Sequence, residues 1–95
     1  MTTKKTPHVL QDQAQLEAIT KRVTRAHGQM GAIVRMLEEG RSCEDIGTQM
    51  AAVAKAVNTA AFTLISASLK ECLVDPERDT DDIVLRLQKL FLSLA

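Results

Sequence analysis

The 95-residue chain has no Trp and no Tyr, and its only aromatic residues are two Phe. It carries 4 Gly, 2 Pro and 2 Cys, and 12 Lys and Arg balance 12 Asp and Glu to a formal charge of zero. Two cysteines are too few for a disulfide scaffold. A neutral chain with 45% hydrophobic residues is not a disordered tail. No apolar run is expected to reach the roughly 18 residues of a membrane span, so no membrane partner is expected. The N-terminal stretch MTTKKTPHVLQDQ lacks the apolar core of a signal peptide. The expected compartment is therefore the cytoplasm. Thiols stay reduced there, and two cysteines read better as ligands or reactive groups than as a bridge. With no phosphate loop, no triad and no general base beside either cysteine, an enzyme is not expected.

Charge is distributed unevenly. Residues 1–41 hold seven basic and four acidic groups, and residues 42–95 hold five basic and eight acidic groups. A basic surface on one side of the fold follows, and it permits a nucleic-acid partner.

The apolar pattern is helical throughout, with no strand pattern, internal repeat or low-complexity tract. Leu16, Ile19, Val23, Ala26, Met30, Ile33 and Leu37 recur at alternating steps of three and four, a heptad seam. It ends at Gly40, a residue suited to the left-handed position that terminates a helix. Ser42, with Asp45 three residues on, resembles a capping box. Ile46, Met50, Val53, Val57, Ala60, Leu64 and Ala67 then repeat the same steps, until Asp75-Pro76 stops the helix. Ile83, Val84, Leu87, Leu90, Phe91 and Leu94 form one face of a third helix. The expectation is a single all-α domain over 1–95, with a tail at 1–14 and helices at about 15–39, 43–74 and 80–94. Two long helices with broad apolar faces favour a dimer of hairpins forming an antiparallel four-helix bundle, which the third helix caps or extends. A monomeric three-helix bundle is the alternative.

Cys43 and Cys72 stand 29 residues apart on the second helix, about 43 Å along its axis. A disulfide or shared metal needs Cα atoms within about 7 Å. One chain cannot bring them together, but an antiparallel dimer places Cys43 of one chain beside Cys72 of the other, twice. At the helix N-terminus the dipole favours the thiolate of Cys43, an attacking thiol, with Cys72 as the resolving one. Two buried cysteines serving only as small hydrophobes is the plainer alternative.

The stretch RVTRAHGQMGAIVRMLE at 22–38, CEDIGTQMAAV at 43–53 and LKEC at 69–72 fall in register with the signatures of a known family. The chain resembles the CsoR/RcnR/FrmR family of metal- and thiol-responsive transcriptional repressors over about residues 16–94. That resemblance implies a homodimer assembling to a homotetramer, operator DNA as partner, and an inducer bound between subunits. It implies DNA contacts at Arg22, Arg25 and Lys21, with Lys55 secondary. Copper-sensing members place a His four residues before the second Cys, where this chain has Ser68. Only Cys43 and Cys72 are left as ligands for Cu(I), a soft ion that two thiolates can hold. Both cysteines without that His is the pattern of the persulfide sensor CstR. The resemblance therefore favours release from DNA by persulfide or polysulfide, with no cofactor required. Regulation by Cu(I) or another metal, or by formaldehyde, is the alternative.

His8 is expected to be solvent-exposed in the tail and His27 to be a surface or packing residue. Gln29 and Gly31 are expected to serve close helix packing, and Glu44 and Glu71 to be surface charges.

Overall fold

The computed structural model describes residues 8–74 and 81–94. It is all-α: α1 spans Gln13–Glu38, α2 spans Cys43–Val74 and α3 spans Asp81–Leu94, with no strand among the described residues. The expected starts at Thr80 or Asp79 and the stop at Asp75-Pro76 lie outside the described residues.

Local chemistry sets each boundary. The first helix begins two residues earlier than expected because Asp12 caps it. Asp12 is extended, with φ −67° and ψ 106°, and its carboxylate accepts from the Gln15 N–H at 3.2 Å. At the other end Gly40 adopts φ 70°, open to glycine without a Cβ penalty. The Arg41 N–H donates to Met36 O at 3.0 Å and the Gly40 N–H to Leu37 O at 3.2 Å, the paired bonds of a Schellman stop. Ser42 then starts α2, its hydroxyl accepting from the Asp45 N–H at 3.1 Å.

The α1 and α2 helices fold back on each other through one heptad row apiece. Ala26, Ile33, Ile46 and Val53 form one buried cluster, and Leu10, Ile19 and Ala60 form another. Each buried Ile contributes about 1.5–3 kcal/mol. The pairing of early α1 with late α2 makes the hairpin antiparallel. The second heptad row stays uncovered: Leu16, Val23, Met30 and Leu37 on α1, and Met50, Val57 and Leu64 on α2, are 38–59% exposed. A Cβ placed on Gly31 would meet only the Arg35 guanidinium, and Gln29 is exposed, so neither serves close packing within the chain.

The third helix packs against α2 and, among the described residues, not against α1. A closed three-helix bundle therefore does not form within one chain, and the molecule is elongated, 59 × 25 × 21 Å. One expectation is corrected here. By length and composition α2 could cross a membrane, with a mean hydropathy of 1.4 over its most apolar 18 residues. No single seven-residue row of α2 shows this apolarity. The helix carries apolar residues for α1, for α3 and for the uncovered row at once, and small alanines lie between them.

Replacing Gly40 by Ala forces a Cβ into the left-handed region. The expected loss is about 1 kcal/mol, read as a lower urea midpoint with unchanged slope.

Candidate functional site

Helix α2 carries both thiols, one at each end. Cys43 is its first residue and is exposed, whereas Cys72 lies in the last turn and is 1% exposed. The two do not meet within one chain. Twenty-nine residues make about eight turns, so Cys72 returns to within about 20° of Cys43 around the axis. That shared face also carries the exposed Met50, Val57 and Leu64. An apolar groove of about 430 Å³ runs along it, lined by Met30, Val34, Met50, Val53 and Val57. Ser68, one turn before Cys72, is buried at 6% exposure. Among the described residues, no group of three or more His, Cys, Asp or Glu is placed to hold a metal ion.

The segment before α1 closes on the end of α2 through Glu71. Its Oε1 accepts from the Gln11 N–H at 2.9 Å and lies 3.0 Å from His8 Nε2, while its Oε2 accepts from the Asp12 N–H at 2.8 Å. The Gln11 N–H is the main cause holding the Glu71 carboxyl below its ordinary range. Partial desolvation opposes it, and the Asp12 N–H and His8 add to the lowering. His8 is thus not solvent-exposed, since its side chain is 7% accessible, and Glu71 is not a bare surface charge. The burial of Leu10 in the same segment completes the clasp. A signal for Glu71 existed in the sequence: it occupies the next heptad position after Ala67, where a carboxylate is out of place unless something binds it. Nothing in the sequence pairs it with His8.

The basic candidates lie on the other side of the hairpin. Arg22 and Arg25 overhang a shallow groove of about 370 Å³ with Gln29, Ala52, Ala56 and Thr59. The alanines keep α2 low, leaving room for both guanidinium groups. Lys55 sits one turn before Thr59, whose hydroxyl donates to Lys55 O at 2.9 Å, and its side chain is exposed beside the groove. Lys21 is exposed but lies farther round α1, outside the groove lining. The sequence pointed to helix packing for Gln29 and to no role for Thr59. Their polar groups become relevant only once the two helices are paired.

The profile of the family described as "Metal-sensitive transcriptional repressor" matches residues 15–92. The chain is 37% identical over 59 residues to the copper-sensing transcriptional repressor RicR of Mycobacterium tuberculosis (strain ATCC 25618 / H37Rv), covering 62% of each. It is 34% identical over 65 residues to the copper-sensing transcriptional repressor CsoR of Bacillus subtilis (strain 168), covering 68% of this chain and 64% of that one. The aligned regions span somewhat less than two thirds of those relatives' length. No solved structure matches the chain significantly. The matching family is one of repressors and not of enzymes.

The lowered carboxyl of Glu71 sets a pH dependence. With the folded-state value below the unfolded one, the clasp contributes stability above the ordinary carboxylate range, near pH 4.3, and loses it as pH falls through the depressed value. Hydrogen exchange is expected to show the Gln11 and Asp12 amides losing protection on acidification before the middle of α1 does. Glu71→Ala should remove that protection at neutral pH. Retained protection in the variant would show that other contacts hold the segment.

Proposed function

The chain belongs to the metal-sensitive transcriptional repressor family, and from that premise we propose that it binds operator DNA and releases it when Cys43 of one copy and Cys72 of another react with an inducer. The observation that carries this reading is the placement of both thiols on one face of α2, at opposite ends, beside its uncovered apolar row, with Cys43 exposed and Cys72 buried. Two copies packing antiparallel through Leu16, Val23, Met30, Leu37, Met50, Val57 and Leu64 bury that row and bring each Cys43 to a partner's Cys72. Residues 1–95 act as one repressor unit in a cytoplasmic homodimer. Pairs of dimers associate through the exposed leucines of α3 into a homotetramer.

The Arg22 and Arg25 groove lies on the side of the hairpin away from the dimer face. Two guanidinium groups one turn apart suit phosphate oxygens, with Gln29 and Thr59 as neutral donors and Lys55 and Lys21 flanking. The chain as a whole is neutral, so attraction to DNA rests on this local patch.

Two thiols and a serine suit a reactive sulfur inducer. The Cys43 thiolate attacks the outer sulfur of a hydropersulfide, RSSH, forming a Cys43 persulfide and releasing RS⁻. The Cys72 thiolate of the partner then attacks Cys43 Sγ and displaces HS⁻. The result is an intersubunit disulfide, with the inducer reduced to a thiol and sulfide. Polysulfide gives the same product or a longer sulfur bridge. The bridge ties the ends of two α2 helices and favours a packing that fits DNA less well. Two curated relatives are copper sensors, which favours Cu(I) as a second reading. The residues present fit a two-thiolate site for that soft ion and lack the third, imidazole donor at Ser68.

Anisotropy of labelled DNA from upstream of the coding sequence tests the reading. Arg22→Ala is expected to weaken binding and to reduce the slope of log affinity against log salt by about one. Cys43→Ala should bind DNA normally but resist release by polysulfide. Release by Cu(I) and not by polysulfide would select the second reading. Loss of DNA binding in Cys43→Ala would make that cysteine structural and remove both.

A further inference from the structure

The two thiols differ most in access. Cys43 is exposed and Cys72 is 1% exposed, yet both lie on the same face of α2. Two packed surfaces of α2 flank Cys72. Its α1-facing row is Ile46, Val53 and Ala60, with Ala67 half-buried beyond them. A second buried strip, Ile65, Ser68 and Cys72, lies about 120° farther round and is confined to the C-terminal third. The third helix is the other helix packed on α2, and its neighbours Phe62, Leu69 and Leu73 lie toward that same end. Phe91 meets Phe62 edge-on, with ring centroids 4.9 Å apart and planes at 72°. Next to this pair, Leu69 and Leu73 of α2 line one groove with Gln88, Phe91 and Leu92 of α3.

The cover is shallow. Not one described side chain of α3 is fully buried; Ile83, Val84 and Leu87 are half-buried, whereas Leu85, Leu90 and Leu92 are 51–70% exposed. A helix of 14 residues is marginal in water by itself. Its order depends on docking to α2, and the aromatic pair is the most specific contact in that docking.

We propose that α3 is a gate over Cys72, latched by Phe91 against Phe62, so that the exposed Cys43 reacts first and Cys72 enters only when α3 lifts. The order of reaction rests on the sensor reading above; the gate does not. Phe62 and Phe91 are positioning residues, since neither is placed to touch the inducer. The gate also selects: a thiol or oxidant in bulk solution meets Cys43, and Cys72 is kept for the modified Cys43 of the partner. This arrangement guards the resolving thiol against separate oxidation.

The test needs neither DNA nor inducer, so its outcome is separate from that of the repressor reading. Single-thiol proteins, Cys43→Ala and Cys72→Ala, are titrated with a chromogenic aromatic disulfide under native conditions. Cys72 is expected to react at least about tenfold more slowly than Cys43, because it reacts through local opening. Phe91→Ala in the Cys43→Ala protein should raise the Cys72 rate about three- to tenfold, and Phe91→Leu less. The same change in the Cys72→Ala protein should leave the Cys43 rate alone, which separates gate opening from general unfolding. Glu71→Ala, which loosens the N-terminal clasp, should leave Cys72 slow. An unchanged Cys72 rate in Phe91→Ala overturns the gate. So does acceleration by Glu71→Ala alone, which would assign the cover to the N-terminal segment.

Discussion

The organisation of this chain depends on a heptad seam that is only half used. Each long helix carries two apolar rows at seven-residue spacing, and folding of one chain buries one of them. Ile19, Ala26 and Ile33 meet Ile46, Val53 and Ala60, while Val23, Met30, Met50 and Val57 face outward. Burial of a Leu or Met side chain is worth about 1.5–3 kcal/mol, so seven uncovered apolar side chains are a strong drive to association. The cysteines are placed by the same arithmetic. At 29 residues their separation is close to a whole number of turns, which puts both on one face of α2, at its two ends, with Cys43 exposed and Cys72 buried. A site assembled from both then needs two chains, and its integrity is tied to the packing between them.

The hairpin divides its labour between two sides. One side is apolar and carries the thiols; the other holds the Arg22 and Arg25 groove over Ala52 and Ala56. Since both sides belong to the same pair of helices, a change in how two hairpins pack also changes the spacing of the paired arginine grooves. On the proposed reading, coupling between sensing and DNA binding needs no separate relay, only two packings of one bundle with different grooves.

Much of this was legible in the sequence, for physical reasons. Alternating steps of three and four residues specify a helix and its inward face, and Gly40 and Ser42 are strong end signals, so α2 begins as expected at Cys43. The start of α1 was misplaced because Gln13 and Gln15 carry no periodic signal; its position depends on Asp12 and on Glu71, some 60 residues away. His8 was misjudged for the same reason, since a contact of that sequence separation leaves no local trace. The membrane-like hydropathy of α2 was missed because three apolar surfaces overlap on one helix. The basic groove was half seen: the arginines stand out as charges, whereas Gln29 and Thr59 gain meaning only from the pairing of the helices.

The central claim is that Cys43 and Cys72 form their site between chains, and a mixed-subunit linkage experiment tests it most directly. Cys43→Ala and Cys72→Ala chains are distinguished by mass, co-assembled, treated with polysulfide and analysed without reduction. The account predicts one covalent link joining the two different chains, from Cys43 of one to Cys72 of the other, and no link within either variant alone. Absence of that mixed dimer, or a wild-type chain that links Cys43 to Cys43 instead, would contradict the antiparallel arrangement and the sensor built on it.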